Sequence, residues 1–171
     1  MRNIGEGVFR DAREAVLFAL NYRGEQYAKS TLALLAQEGR IGNGRGLHGL
    51  DGAATRASVM RKLESLHVAG QAALIARSTP CNSEGWSAAV QELERFIAES
   101  MTLPADLVAL YIRKYFGESV TMQEIADRVG VTRVTVHRQA LPIKQEIDRL
   151  ESEAWAQFDE ALRRASLVEE Y

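Results

Sequence analysis

Residues 121–141 read TMQEIADRVGVTRVTVHRQAL. Thr121 and Glu124 have the spacing of a capping box, in which the hydroxyl accepts from the backbone at Glu124 and the carboxylate reaches back. Ile125, Ala126 and Val129 then form the inner face of a short helix, and Ala126 is small where two helices would cross closely. Gly130 suits the left-handed residue that ends a helix and turns the chain sharply. Val131 can plug that turn. Thr132 can cap a second helix whose inner face carries Val136 and Ala140. The cap, the small residue, the turn glycine and the branched apolar residues therefore agree on two short helices joined by a tight turn.

That layout is the signature of a helix-turn-helix, whose second helix enters the major groove of DNA. Here the second helix exposes Arg133, Val134, His137 and Arg138 on one face, flanked by Thr135 and Gln139. Arginine binds guanine bidentately, and valine or a threonine methyl meets the thymine methyl. Thr121 and Gln123 stand at the first helix's N-terminus, where backbone N–H groups favour a phosphate. Arg128 and Lys144 are better placed for phosphates than for bases, and Thr132 completes the expected DNA-binding set. His137 has three readings: a neutral donor, a cation near phosphate, or bystander surface. The competing account of the whole stretch is an ordinary pair of short core helices.

Outward from this stretch the pattern stays helical. Pro142 follows two residues after Ala140, where proline ends or kinks a helix. Beyond it, Ile143, Ile147, Leu150, Ala154, Phe158, Leu162 and Ala165 recur every three or four residues. A helix of about 25 residues spans nearly 40 Å. Its apolar stripe serves either a dimer or partner interface, or this chain's own core. Upstream, Ser83 can cap a helix carrying Trp86, Val90, Leu93, Phe96 and Ile97. Pro104 sits at the first-turn position that tolerates it, ahead of Leu107, Leu110, Tyr111 and Tyr115. STPCNSEG, residues 78–85, is turn chemistry and divides the chain into 1–82 and 83–171.

In the N-terminal part, Ala12, Val16, Ala19 and Leu20 share a face within 10–22, beside Phe9 and Leu17. Asp11 and Glu14 favour the helix N-terminus. Ser30 can cap a helix to Gln37. GRIGNGRGLHGLDG, residues 39–52, holds six glycines and reads as a loop, with Asp51 capping the helix that carries Ala54, Ala57, Met60, Leu63 and Leu66. A further helix is expected over 69–77. Strand signals are scarce, so the expected fold is all-α: about eight helices in a multi-helix domain with a C-terminal helix-turn-helix and a long terminal helix.

The formal net charge of −2 conceals an alternation. Residues 1–82 carry +4, 83–127 carry −5, 128–144 carry +4 with no acid, and 145–171 carry −5. Local rather than total charge meets a phosphate backbone, and the short basic block falls on the second helix of the motif. One cysteine excludes an intramolecular disulfide framework, which points to a reducing, cytoplasmic setting. No apolar run approaches a membrane span of about 20 residues, and the charges at Arg10, Asp11, Arg13 and Glu14 exclude a secretory signal.

Nothing in the chain calls for catalysis. Gly42, Gly44 and Gly46 could cradle a phosphate, yet no strand precedes them, no Gly-Lys-Ser/Thr follows, and no acid sits at dinucleotide spacing. His48, His67 and His137 lack metal-ligand spacing. Cys81 lies in a turn with no pattern of a nucleophile around it. The expectation is a non-enzyme without cofactor or metal.

Residues 103–150 resemble the DNA-binding region 4 of bacterial sigma factors, whose pattern T-x-x-E-I-A-x-x-x-G-V-[ST]-x-x-T-V is met by Thr121, Glu124, Ile125, Ala126, Gly130, Val131, Thr132, Thr135 and Val136. Many response regulators share that pattern. No counterpart of the sigma domain that melts the promoter is recognisable, which argues against a complete sigma factor. IGNGRGLHGLDGAA, residues 41–54, resembles a glycine-rich block in small phage and prophage proteins that carry a C-terminal helix-turn-helix and are similar to Q-type late-gene antiterminators. That resemblance implies a protein that binds DNA at or beside a promoter and loads onto RNA polymerase with sigma still bound. It would then travel at the RNA exit channel and keep terminator hairpins from forming. The basic 40–77 segment would then meet polymerase or nascent RNA through Arg40, Arg45, Arg56, Arg61 and Lys62, with Arg77 at its end. The alternative function is an activator or repressor of initiation, dimerising through 143–168.

Overall fold

The helical spacing resolves into seven α-helices among the residues that the computed structural model describes, 7–22 and 49–168. They are α1 (Ala12–Asn21), α2 (Gly49–Glu64), α3 (Val68–Ser78), α4 (Glu84–Ser100), α5 (Ala105–Tyr115), α6 (Met122–Val129) and α7 (Arg133–Arg164). Among the described residues there is no β-strand, and one isolated parallel bridge joins Phe9 and Val168. The described residues form an all-helical, multi-helix fold with a long C-terminal helix. The helix expected from Ser30 to Gln37 and the glycine-rich residues 39–48 lie outside the described residues.

Contacts divide the chain into two units, one formed by 1–63 with 159–171 and the other by 64–158. In the first, Asp11 caps α1 by accepting from the Glu14 N–H at 2.8 Å. That bond is the main cause of a lowered Asp11 carboxyl pKa. Ala12, Ala15, Val16 and Ala19 form the buried face of α1, whereas Leu17 is exposed. The Phe9 N–H donates to the Leu167 carbonyl at 2.8 Å, and the Phe9 ring lies 5.2 Å from that of Phe18. Arg56 Nε donates to the Ala19 carbonyl at 3.0 Å, which ties α2 to the end of α1.

The second unit is built on one apolar cluster. It joins the alanine face of α3, Trp86, Val90, Leu93 and Ile97 of α4, Leu107, Val108 and Ile112 of α5, Ile125 and Ala126 of α6, and Val136, Ile143, Ile147 and Leu150 of α7. Burying each large aliphatic side chain is worth about 1.5–3 kcal/mol. Small residues let α3 approach α7 closely: a Cβ at Gly70 would come within 3.0 Å of the Ala154 Cβ. Polar groups then fix the approach. Arg77 binds Glu151 through Nε at 2.7 Å and Nη2 at 2.9 Å, and its guanidinium lies 4.9 Å from the ring centroids of both Tyr115 and Phe116. The Tyr115 hydroxyl donates to Asp148 at 2.6 Å. Burial first, then that bond, raises the phenol pKa. The turn over residues 78–85 lies inside this unit, between α3 and α4.

One local expectation is corrected and one is narrowed. Residues 49–52 do not belong to a loop: α2 begins at Gly49, with Asp51 in its first turn rather than at its cap. Two glycines in a helix cost roughly 2 kcal/mol relative to alanine. The carboxylate favours that helix end, and the buried Val59 and Leu63 on the same helix offset the rest.

Of the two outcomes expected at Pro142, an end or a kink, the end is excluded, because α7 runs through it. Proline removes one helical N–H and crowds the carbonyl four residues before it, at about 3 kcal/mol in a helix interior. Here Pro142 and Arg138 are both exposed, so water can take up the carbonyl left without its helical donor. Ile143, Ile147, Leu150, Ala154 and Phe158 are all buried and hold the following turns against the core. Pro142→Ala is accordingly expected to raise unfolding stability by about 2 kcal/mol in urea denaturation, after part of the helical gain is lost to a freer unfolded chain. A destabilised variant would show that the ring itself packs.

Candidate nucleic-acid interface

The first helix of the motif, α6, carries the cap that its sequence calls for. Thr121 Oγ1 accepts from the Glu124 N–H at 3.1 Å, and Glu124 Oε2 accepts from the Thr121 N–H at 2.7 Å. The backbone bond from Thr121 lowers the Glu124 carboxyl pKa. The cap therefore contributes at neutral pH and fades as pH falls through that lowered value. Gly130 ends α6 with φ 75° and ψ 31°, in the left-handed region where a Cβ is strained. The Gly130 and Val131 N–H groups both donate to the Ala126 carbonyl, at 2.9 and 3.0 Å. The chain reverses within those two residues, and Val131 packs against the core.

Thr132 then starts α7. Its Oγ1 accepts from the Thr135 N–H at 3.2 Å and lies 2.9 Å from the Thr135 hydroxyl. Val136 and Ala140 are buried. At 100° per residue Val134 and Arg138 point away from this inner face and His137 to its side, while Arg133 is the first residue of the helix; all four are exposed. Val134 is 78% exposed, the most exposed of the large apolar residues described. Among the described residues, neither Arg133 nor Arg138 makes a side-chain hydrogen bond or ion pair. Both guanidiniums retain all five donors for a ligand.

The remaining predicted residues are placed less uniformly. Arg128 is exposed in the last turn of α6. Gln123 donates to Asp127 at 2.8 Å, so its amide is partly engaged. Lys144 is exposed but paired with Asp148 at 2.6 Å, one turn along α7, so binding a phosphate means exchanging that partner. Thr121 is spent on its cap, although its N-terminal position on α6 remains exposed. Thr135 and Gln139 are half-buried, and Gln139 Oε1 is buried without a hydrogen-bond partner.

Two features escaped the sequence reading. Leu141 is 55% exposed and lies seven residues from Val134, on the same helix face. The pairings of Gln123 with Asp127 and Lys144 with Asp148 were visible only as four-residue spacings.

The expected polymerase or RNA face is described in part. Arg40 and Arg45 lie outside the described residues. Arg56 is held by the Ala19 carbonyl, and Arg61 Nε donates to the Ala57 carbonyl at 3.3 Å; both are exposed. Lys62 is half-buried. Arg77 is exposed as well, but its guanidinium is paired with Glu151 and lies over two rings, so meeting a ligand means exchanging that partner.

Among the described residues no three potential metal ligands cluster, and no helix is long and apolar enough to cross a membrane. Comparison with protein-family models, with curated proteins and with solved structures found no match.

Proposed function

We propose that this chain is a sequence-specific, double-stranded DNA-binding regulator of transcription that loads onto RNA polymerase near a promoter, with sigma present, and suppresses termination. One observation carries the DNA-binding part. The first two turns of α7 present Arg133, Val134, His137 and Arg138 to solvent, and the stretch 128–144 holds four cations and no acid. The capped α6, the left-handed Gly130 and the capped start of α7 brace that face as a helix-turn-helix requires. The antitermination part rests on the likeness of residues 41–54 to the glycine-rich block of Q-type antiterminators. The blocks of −5 on either side of the basic stretch support it as well. They weaken non-specific attachment to DNA, so that stable engagement needs the right site or a protein partner.

An initiation regulator that dimerises through 143–168 has less support. Ile143, Ile147, Leu150, Ala154, Phe158 and Leu162, the stripe it would use, are buried within the single chain.

The test has two stages. A duplex is first selected from a random library and its affinity measured across a salt series. Transcription by bacterial RNA polymerase is then followed through an intrinsic terminator downstream of a promoter bearing that duplex. Read-through is expected to rise only when the site is present. Unchanged read-through on every such template would leave a regulator of initiation, and absence of a selected site would remove the DNA-binding reading altogether.

A further inference from the structure

Resting on that DNA-binding reading, we propose that Val134 reads the 5-methyl group of a thymine in the major groove, within about two base pairs of a guanine held by Arg138. The site then contains a defined thymine–guanine spacing.

Val134 is the anomaly of the exposed face. Its neighbours Arg133, His137 and Arg138 are polar and serve phosphates as well as bases, whereas a valine has nothing to offer a phosphate. At 78% exposure it is largely uncovered by the described residues. In a major groove the matching apolar group is the thymine methyl, since the other base edges present donors and acceptors. Valine suits that contact because its branched side chain holds one χ1 rotamer in a helix, so its methyl groups are already fixed in place.

Leu141 is the competing apolar residue on the same face. It stands two turns further along, about 10.5 Å from Val134. It precedes Pro142 and lies beyond the capped N-terminal turns that a recognition helix presents to bases. Arg138 is four residues from Val134, about 6 Å along the helix. That is close to two base-pair steps of about 3.4 Å, which sets the spacing.

The experiment uses the full chain and its selected duplex. Each thymine is replaced singly by deoxyuridine, which keeps the pairing edge and lacks the methyl. At one thymine the wild-type protein is expected to lose about fourfold in affinity, the equivalent of roughly 0.8 kcal/mol for one buried carbon group. Val134→Ala is expected to bind the thymine duplex at least that much more weakly and to bind both duplexes equally. Replacing a guanine within two base pairs by 7-deazaguanine, which lacks the N7 acceptor, is expected to weaken wild-type binding and to leave Arg138→Ala unaffected.

Site-specific binding that ignores every uracil substitution overturns this inference alone. So does a Val134→Ala variant that still distinguishes thymine from uracil. Failure to find any specific duplex overturns the DNA-binding reading with it.

Discussion

Arg133→Ala/Arg138→Ala is expected to weaken binding to the selected duplex by about a thousandfold, while the urea midpoint stays within error of the wild type. The magnitude follows from two bidentate arginine–base contacts at about 1–3 kcal/mol each. The unchanged stability follows from the structure. Both side chains are exposed and unpaired among the described residues, and alanine is the better helix former. The same pair separates base contacts from phosphate contacts. If the arginines read bases, discrimination between the selected duplex and a scrambled one collapses in the double variant. If they only neutralise phosphates, both duplexes weaken alike and the logarithmic salt slope falls by about two. Lys144→Ala should produce a smaller and sequence-independent loss, because Lys144 must first give up Asp148. Affinity and discrimination within threefold of wild type in the double variant would show that α7 is not the reading helix.

The motif was legible because its signals are local. Thr121 and Glu124 are three residues apart, Ala126 and Gly130 four, and Thr132 and Thr135 three, so one turn of helix fixes each pairing whatever the rest of the chain does. The buried and exposed faces of α7 followed from the same periodicity. Whether the helix ends at Pro142 was not legible, for the complementary reason. Its local preference is strong, but the helix beyond it is held by Ile143, Ile147 and Leu150, which belong to one buried cluster with residues of four other helices. Tertiary burial outweighed a local penalty of about 3 kcal/mol. At the start of α2, burial again decided against the local bias of Gly49 and Gly52 toward a loop.

What no local pattern could show is which charges are spoken for. Arg77 looked like one more cation of a basic segment, yet its partner Glu151 lies 74 residues away. The two aromatic faces beneath it come from a third helix and its C-terminal cap. The same holds for the pairing of residues near the two ends of the described chain, where the Phe9 N–H meets the Leu167 carbonyl. A unit made from 1–63 and 159–171 is discontinuous, and a reading that moves along the sequence finds only the turn at 78–85 as a division. Arg133 and Arg138 were identified correctly as exposed. That they also lack partners in the described residues is a fact of the fold, and it is what distinguishes them from Arg77.

Trp86→Ala is expected to be among the most destabilising single changes in the second unit, by about 4 kcal/mol in urea denaturation, within the range for truncating a buried aromatic. Trp86 is 3% exposed in the shared cluster, and its Nε1 donates to the Phe116 carbonyl at 3.0 Å. Phe116 caps the C-terminus of α5 and precedes Gly117, whose φ of +106° turns the chain toward α6. The indole thus both fills the core and pins the turn that delivers the helix-turn-helix. Trp86→Phe separates the two roles. It keeps much of the ring but leaves the buried carbonyl without this donor, for an expected loss of about 1–3 kcal/mol. Below their melting temperatures both variants should bind the selected duplex with near wild-type affinity per folded molecule, because Trp86 lies in the core and offers no surface to DNA. A Trp86→Phe variant as stable as wild type would show that the hydrogen bond adds nothing beyond packing. A folded Trp86→Phe with weakened DNA affinity would show that the turn after α5 also sets the pose of the reading helix.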